Sequence, residues 1–417
     1  MSREQLAGSS FFDQPAVKRG VIEVGGGVPF GLVPVLNAEL GIGGAYGTWG
    51  DRYANSDLQP WVEDRLGLPI SDSERLNLEE LGFLSRHHIR RLTADQNMQV
   101  ELELGARFLR EAARACGWDP AEVDGVLIGM TAPISDDYVD EISRLAGIPD
   151  RALKVTVHKA CDSSVSGLHL ALNPALAENL SLRRNIAESL KGKKVLVGGI
   201  EGLSRLLLDA KDKNALQLFG NAAGVIGVIP GKTMKFLAGA SRAVFDEDGV
   251  LQVHMFYPYS ERADSAAPSV DVTQADETHI RIAGKMHEPA DGSSIIMAGP
   301  MGMVKLFVRS GVQVVQEAYR AYQQKLEQLG ASGKSLAVAI VHHANYKINK
   351  LKEKQLQGLG IKLPMPWLLS DFGNVSAASN MIAFLRELPL LKPGDHILMD
   401  GFGAGTYYDT LAVEVGA

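Results

Sequence analysis

Residues 155–173 read VTVHKACDSSVSGLHLALN, and the change of pattern inside this stretch decides the fold that the sequence predicts. It passes from β-branched residues through small residues into a helical pattern, which is typical of a strand that turns directly into a helix. Cys161 lies at the joint and is one of only two cysteines in 417 residues. A helix N-terminus favours a thiolate, so the position suits a nucleophile. A small buried thiol that only packs is the alternative.

Outside this stretch, short apolar runs alternate with helical patterns, which favours an α/β layered fold. A chain of 417 residues is too long for one compact core, so two domains or two halves that share an interface are expected. We predict buried strands at 123–130, 194–200, 336–343 and 396–403, and long helices at 99–117 and 308–330.

One order of elements occurs twice along the chain: a long helix, a buried strand, a small-residue elbow into a helix, and a glycine-rich strand. The elbows are KACDSSVSGLHLA at 159–171 and DFGNVSAASNMIA at 371–383, so Cys161 corresponds to Asn374. Such alternation also arises by chance in α/β proteins, but the serine-rich residues after both elbows favour a true repeat. Two pseudo-symmetric halves bring equivalent helix starts together, so we expect Cys161 and Asn374 to face one pocket.

Composition and charge exclude several classes of protein. Hydrophobic residues at 46% and charged residues at 22% are ordinary for a folded globular chain. A net charge of -7 argues against a protein built to hold nucleic acid or anionic lipid. Cys116 and Cys161 suit neither a disulfide framework nor a metal site, and they favour a reducing, cytoplasmic compartment. We find no signal-peptide pattern and no apolar run long enough for a transmembrane helix.

Three further motifs are candidates for chemistry. His342 and His343 end a buried strand, where successive residues point to opposite faces, so at most one faces the pocket. Asn374 suits a helix cap, or its amide donates a hydrogen bond to oxyanion charge. GFGAGT at 401–406 is a tight turn or a source of main-chain N–H groups for an oxyanion hole. It lacks the context of a dinucleotide-binding loop, so we reject that use.

The motifs ACDSS, HHAN, FGNVSAAS and GFGAGT, in this order and spacing, resemble those of the β-ketoacyl-acyl-carrier-protein synthase III group of the thiolase superfamily. That group reads roughly AC with two small residues, then HQAN, GNTSAA and FGGG. Segments at 58–68, 218–228 and 295–308 resemble other parts of the same group. The resemblance implies the thiolase fold, an α/β fold of two pseudo-symmetric halves in a layered αβαβα arrangement.

The resemblance also implies roles for individual residues. Cys161 would be the acylated nucleophile, and His342 and Asn374 the other two catalytic residues. The main-chain N–H groups of Cys161 and Ala404 would form the oxyanion hole. Ala404 stands where the group usually has glycine, and a main-chain donor survives that change if the turn keeps its shape.

Substrate contacts are implied in the same way. Trp61 and Arg65 match positions that contact the nucleotide portion of coenzyme A. The loop at 131–141 corresponds to one that helps to shape the acyl pocket across a dimer. Here it lacks the usual proline and phenylalanine, with Tyr138 nearby instead, so the acyl preference of the group does not carry over.

The halves are predicted as residues 1–232, which carry the nucleophile, and 233–417, which carry the histidine and asparagine. An insertion at about 68–90 is absent from compact members of the group, and His343 replaces the glutamine of HQAN. The sequence gives neither of these departures a role.

The implied reaction is acyl transfer to Cys161, followed by a decarboxylative Claisen condensation with a malonyl-type thioester in fatty-acid or polyketide synthesis. The implied substrates are acyl-coenzyme A, acyl carrier protein and a malonyl thioester. We expect no metal, no redox cofactor and no nucleic-acid partner, and we expect a cytoplasmic homodimer. Acyl chain length and the donor carrier stay open.

Other reactions on the same fold stay open too. They are head-to-head condensation of two acyl-coenzyme A molecules, synthesis of a pyrone or another secondary metabolite, and acyl transfer to an alcohol or amine. A non-catalytic partner subunit is the alternative from a different class, but such subunits usually lack the cysteine or the histidine. A thiolase normally has a second cysteine in the last glycine-rich motif, which is absent here. A 3-hydroxy-3-methylglutaryl-coenzyme A synthase needs a glutamate base, and none stands out near the motifs.

Overall fold

The computed structural model describes residues 10–131, 134–179, 182–243, 249, 251–253, 270–297 and 299–416. Its strands are β1 Lys18–Ile22, β2 Val28–Asn37, β3 Ile42–Trp49, β4 Asp51–Ala54, β5 Ser85–His88, β6 Gly125–Gly129, β7 Leu153–His158, β8 Val195–Glu201, β9 Ala222–Val228, β10 Met234–Ala243, β11 Leu251–Val253, β12 Val270–Gln274, β13 His279–Gly284, β14 Ile295–Met297, β15 Leu336–Val341, β16 His396–Gly403 and β17 Tyr407–Val415. Its α-helices are α1 Leu58–Leu66, α2 Ala94–Ala115, α3 Tyr138–Ala146, α4 Ser163–Leu172, α5 Pro174–Asn179, α6 Ile186–Leu190, α7 Leu203–Leu206, α8 Lys213–Leu218, α9 Pro300–Val304, α10 Gly311–Gln328, α11 Tyr346–Gly358 and α12 Ser379–Glu387.

The predicted long elements are present. The four predicted strands correspond to β6, β8, β15 and β16, and the two long helices to α2 and α10. The prediction placed the start of α2 too late, because Thr93 and Gln96 form a reciprocal capping box that starts the helix at Ala94. The second helix is also not uniform, since Lys305–Ser310 form a π-helical segment directly before α10.

Two mixed sheets carry the fold. One has nine strands in the order β1-β2-β3-β9-β8-β6-β7-β13-β12, and the other has four in the order β10-β17-β16-β15. β6 pairs in parallel with β7 and β8, and β15 pairs in parallel with β16. The carboxyl ends of parallel neighbours meet at one edge of a sheet. Thr131, Cys161 and Glu201 therefore lie at one edge, and His342 and Ala404 at the corresponding edge of the second sheet.

Helices α4 and α12 lie between the two sheets. α4 contacts β6 and β8 on one side and β16 and β17 on the other, and α12 contacts β3, β9, β15 and β16. Every residue of both helices is buried, as expected for a helix that is covered on all sides. Each helix follows one of the predicted elbows, so both elbows end in the same central layer.

Two longer helices cover the outer faces. α2 packs against β2, β3 and β9 of the nine-stranded sheet, and α10 packs against β10 and β17 of the four-stranded sheet. Separate apolar clusters fill the space under α2, the space under α10 and the space between the sheets. The layers therefore follow the predicted order of helix, sheet, helix, sheet, helix.

The sheets do not divide at residue 232. β13 pairs in parallel with β7, and β12 pairs with β13, so residues from the later part of the chain extend the sheet of the first half. A division of the chain at 232 and 233 stays a prediction.

The insertion at 68–90 is folded onto the rest of the chain. Its β5 pairs with β4, and Ile70, Leu78 and Phe83 join a buried apolar cluster with Trp61. Residues 132–133 of the predicted acyl-pocket loop lie outside the described residues. None of the helices in the described part of the chain combines the length and apolar character needed to cross a membrane.

Candidate active site

The first elbow holds Cys161 in a turn between strand and helix. β7 ends at His158 and α4 begins at Ser163. Ala160 has φ of 46°, in the left-handed region that few residues other than glycine adopt. The Ser163 hydroxyl donates to the carbonyl oxygen of Ala160 at 2.6 Å and accepts from the main-chain N–H of Lys159 at 2.8 Å. These bonds fix the Cys161 side chain, which is 7% exposed, just before the first turn of α4.

The second elbow holds Asn374 in a similar way. Gly373 has φ of 75°, and the main-chain N–H of Asn374 donates to the carbonyl oxygen of Leu218 at 2.8 Å. Ser376, two residues later, has φ of 44° and begins a short 3-10 turn that leads into α12. Among the described residues, Ala160 and Ser376 are the only non-glycine residues with positive φ. Backbone strain is therefore concentrated at the two elbows, as is common at functional sites.

Ser376 joins the two elbows directly. Its hydroxyl donates to the Sγ of Cys161 at 3.1 Å, and its main-chain N–H donates to the Oδ1 of Asn374 at 3.0 Å. The structure therefore brings together the two positions that the internal repeat pairs.

The two histidines after β15 point to different surroundings. The Nδ1 of His342 lies 2.8 Å from the Oγ of Ser379. The Nε2 of His343 accepts from the main-chain N–H of Leu368 at 3.0 Å, and its ring packs on Trp367. Burial, with smaller effects of His343 and Lys352, lowers the pKa of His342 to about 3, so this imidazole is neutral. His343 is a structural acceptor.

The turn after β16 lies directly against the first elbow. A Cβ atom at Gly403 would lie 2.0 Å from the carbonyl oxygen of Lys159 and 3.1 Å from the main-chain nitrogen of Cys161. Only glycine allows this approach. Ala404, the next residue, is fully buried beside it, so the two proposed oxyanion donors belong to segments in contact.

A cavity of about 400 Å³ reaches Asn374. Most of its wall is apolar, with Leu76 and Leu81 from the insertion on one side and Met303 and Leu351 on the other. A mainly apolar cavity with a few polar groups at one place is typical of a site for a small ligand.

The thiol of Cys161 differs electrostatically from the prediction. The helix start was expected to favour the thiolate, but burial raises the pKa of the thiol to about 12. The hydrogen bond from Ser376 opposes this effect only in part, and the charge of Glu201 adds to it. His342 is neutral and cannot act as a cationic neighbour. Deprotonation of Cys161 therefore needs a proton acceptor.

Comparison with known proteins gives one consistent result. The family described as 3-oxoacyl-[acyl-carrier-protein] synthase III C terminal matches residues 326–415. A β-ketoacyl-[acyl-carrier-protein] synthase III from Clostridium tetani is 27% identical over 319 residues, covering 76% of this chain and 84% of the relative. A synthase III from Halalkalibacterium halodurans is 27% identical over 314 residues, covering 73% and 80%. The crystal structure of 3-oxoacyl-[acyl-carrier-protein] synthase III from Aquifex aeolicus matches with a TM-score of 0.60 at 20% identity, covering 87% of this chain and 96% of that one.

The chain is similar to the β-ketoacyl-acyl-carrier-protein synthase III group of the thiolase superfamily. The structural match confirms the predicted thiolase fold. The matched family segment contains His342, Asn374 and Ala404 but not Cys161.

In this synthase III-like chain, three predicted substrate contacts do not line the cavity that reaches Asn374. Trp61 is 1% exposed and stacks on His88, with ring centroids 3.9 Å apart. Arg65 donates to the carbonyl oxygens of Ile89 and Arg90. The insertion supplies these partners; Trp61 is buried, whereas Arg65 stays half-buried.

Tyr138 is the third of these contacts. It is buried, and its hydroxyl donates to the carbonyl oxygen of Glu101 at 3.1 Å. Neither its ring nor its hydroxyl lines the cavity that reaches Asn374.

Glu201 is a polar residue at the site that sequence reasoning missed. Its Oε1 accepts from the main-chain N–H of Thr131 at 2.8 Å, the Thr131 hydroxyl at 2.7 Å and the main-chain N–H of Ala377 at 3.1 Å. Burial raises its pKa to about 7. The sequence did contain a signal, because Glu201 is an acidic residue directly after the predicted buried strand 194–200. The neighbouring strand β6 ends close to Thr131.

Proposed function

We propose that this protein is an acyl-thioester condensing enzyme. Cys161 accepts an acyl group from acyl-coenzyme A or acyl carrier protein, and a malonyl-type thioester then condenses with that group and loses carbon dioxide. The relatives from Clostridium tetani and Halalkalibacterium halodurans are named as synthases of β-ketoacyl-acyl carrier protein, which supports this class of reaction.

The observation that carries the proposal is the position of Ser376 between Cys161 and Asn374. The main-chain N–H of Ser376 donates to the Oδ1 of Asn374 and so fixes the orientation of the side-chain amide. The Nδ2 group of Asn374 is then the group that can donate a hydrogen bond to a substrate. Its nearest recorded acceptor is the carbonyl oxygen of Ala344 at 3.5 Å, the limit of a hydrogen bond. An N–H donor is therefore available at the cavity, on the residue that Ser376 links to Cys161.

A hydrogen bond from a neighbouring residue also orients His342. The Oγ of Ser379 accepts from the main-chain N–H of His343 at 3.0 Å, so we assign its hydroxyl hydrogen to the Nδ1 of His342. That bond leaves the imidazole proton on Nε2. A neutral imidazole with Nε2–H can donate to a thioester carbonyl and stabilise an enolate, but it does not supply a full positive charge.

These residues divide the reaction into two stages. In the first, Cys161 attacks the acyl thioester while the main-chain N–H groups of Cys161 and Ala404 hold the oxyanion; one such donor is typically worth about 3 kcal/mol. In the second, Asn374 and His342 hold the carbonyl of the malonyl thioester as carbon dioxide leaves. The resulting enolate attacks the acyl group on Cys161.

The cavity fits the carrier arm of a thioester. Its apolar walls suit a flexible chain, and Asn345 and Lys347 add polar groups to them. We propose that the arm of acyl-coenzyme A or acyl carrier protein enters here, beside Leu76 and Leu81 of the insertion. We also propose that the enzyme needs no metal or redox cofactor and acts in the cytoplasm as a homodimer.

Intact mass measurement after incubation with acyl-coenzyme A tests the first stage. We expect the wild type and Cys116→Ala to gain the mass of one acyl group, and Cys161→Ala to gain none. Cys116 is the matched control because it is the other thiol of the chain. It lies at the C-terminal end of α2, where its sulfur packs against the carbonyl oxygen of Gly227. An equal gain on Cys161→Ala, or no gain on the wild type, would contradict the proposal. Release of carbon dioxide from malonyl thioesters then separates condensation from plain acyl transfer.

A further inference from the structure

A continuous chain of hydrogen-bonding side chains leads away from Cys161. The hydroxyl of Ser376 lies 3.1 Å from the thiol sulfur and is also in hydrogen-bond contact with the hydroxyl of Thr131. The Thr131 hydroxyl donates to the Oε1 of Glu201 at 2.7 Å. Thr131, Ser376 and Glu201 are all at least nine-tenths buried, so this path is shielded from bulk solvent.

The path connects segments that are far apart in the sequence. Thr131 follows β6, Glu201 ends β8, and Ser376 belongs to the second elbow. Gly199 on β8 allows the contact, because a Cβ atom there would lie 2.3 Å from the carbonyl oxygen of Ala377. The second elbow can therefore lie directly on β8 and place the Ala377 N–H against Glu201.

The environment of Glu201 suits a group that exchanges one proton near neutrality. Burial raises its pKa to about 7, and the hydrogen bonds from Thr131, Ala377 and Ser376 oppose that rise. The titratable groups that respond to its charge are Cys161 and Tyr138. Burial raises the pKa of each, and the charge of Glu201 adds to that rise. The Glu101–Arg205 ion pair, at 2.9 Å, also acts on Tyr138.

We propose that Glu201 takes the proton of Cys161 through Ser376 and Thr131, and holds that proton for as long as Cys161 carries an acyl group. This assignment rests on the function proposed above. Hydroxyl groups suit such a path because each accepts one hydrogen bond while donating another. In this relay Ser376 touches the reacting sulfur, whereas Thr131 and Glu201 act through it.

The proton balance closes over one catalytic cycle. In the first stage the Ser376 hydroxyl turns so that it accepts from the Cys161 thiol and donates to Thr131. The S–H bond of Cys161 then breaks, each hydroxyl passes one proton onward, and an O–H bond forms on Glu201. Afterwards the proton that Ser376 received is donated in a hydrogen bond to the sulfur, which is the orientation seen in the structure. The thiolate displaces the thiolate of coenzyme A, which takes a proton from water. In the second stage the enolate displaces the thiolate of Cys161, and the proton on Glu201 returns along the same path.

His342 is the other basic group at the site, and it is a poor store for this proton. Its pKa is lowered to about 3, so it does not remain protonated at neutral pH. Its Nδ1 is engaged with Ser379. Glu201 also has a direct hydrogen-bonded path to the sulfur.

The test is the rate of Cys161 acylation by acyl-coenzyme A, followed by rapid quench and intact mass between about pH 5.5 and 9. Because Glu201 must be ionised to accept the proton, the wild-type rate should rise with pH through an apparent pKa near 7 and then level off. In Glu201→Gln the amide oxygen still accepts the three hydrogen bonds. We expect its acylation to slow on the order of 100-fold and to lose the inflection.

Two substitutions of Thr131 test the path while the carboxylate of Glu201 stays in place. Thr131→Val removes the hydroxyl at almost constant volume and should slow acylation as Glu201→Gln does, whereas Thr131→Ser should restore the rate and its pH dependence. Wild-type rates and pH profiles in both Glu201→Gln and Thr131→Val would overturn the relay while leaving acylation of Cys161 intact. A wild type that is never acylated would instead refute the proposed function. If Glu201→Gln does not fold, the two Thr131 variants decide.

Discussion

The two elbows have the same plan but present different groups. In the first half β7 runs straight into the elbow, and the reactive atom is the side-chain sulfur of the elbow residue. In the second half residues 361–371 approach the elbow without forming a strand, and the side chain of Asn374 is oriented by Ser376. A duplicated fold therefore supplies two equivalent positions, and the residue at each position determines which chemical group it presents. In the proposed reaction, the first elbow carries the acyl group and the second elbow supplies an N–H donor.

The largest expected effect comes from the N–H donors of the second half. We expect His342→Ala to reduce carbon dioxide release from a malonyl thioester by roughly 100-fold, because a preorganised donor to the enolate is lost. Acylation of Cys161, measured by intact mass, should continue. His343→Gln is the matched neighbour, and we expect near wild-type rates because a glutamine can still accept from Leu368. Equal losses in both variants would contradict the separate roles of the two histidines.

A stability measurement tests how closely the halves are joined. Gly199→Ala places a methyl group against the carbonyl of Ala377, so we expect a loss of about 1 to 3 kcal/mol in the free energy of unfolding. Chemical denaturation followed by circular dichroism measures this. The control is Gly358→Ala, where an added Cβ meets nothing within 4 Å. A Gly199→Ala protein as stable as the control would show that β8 and the second elbow are not in tight contact.

The smallest expected effect concerns orientation alone. Ser379→Ala removes the hydroxyl that binds the Nδ1 of His342 and leaves the imidazole in place. We expect condensation to fall about tenfold, corresponding to the loss of one hydrogen bond. Acylation should be unchanged. An unchanged condensation rate would show that Ser379 does not set the imidazole tautomer.

The sequence predicted the repeat, the layered fold and the pairing of Cys161 with Asn374, because strand ends and helix starts leave a local pattern. It did not predict the Glu201 path, which depends on the register of β6 beside β8 and on a contact across the two halves. It also assigned the pKa of Cys161 in the wrong direction, since burial is a property of the packed fold. The burial of Trp61 could not be predicted from the sequence either, because it depends on how the insertion folds.

The separate roles proposed for Cys161 and Asn374 are tested most directly by a two-stage experiment on Asn374→Ala. The protein is first acylated with acyl-coenzyme A, and the acyl-enzyme is then mixed with a malonyl thioester. Intact mass follows the loss of the acyl group from Cys161, and carbon dioxide is measured in parallel. We predict that both proteins form the acyl-enzyme and that only the wild type releases carbon dioxide and discharges its acyl group rapidly. If the variant discharges its acyl group at the wild-type rate, or fails to become acylated, Asn374 does not act in the condensation stage alone and the proposed separation of roles is wrong.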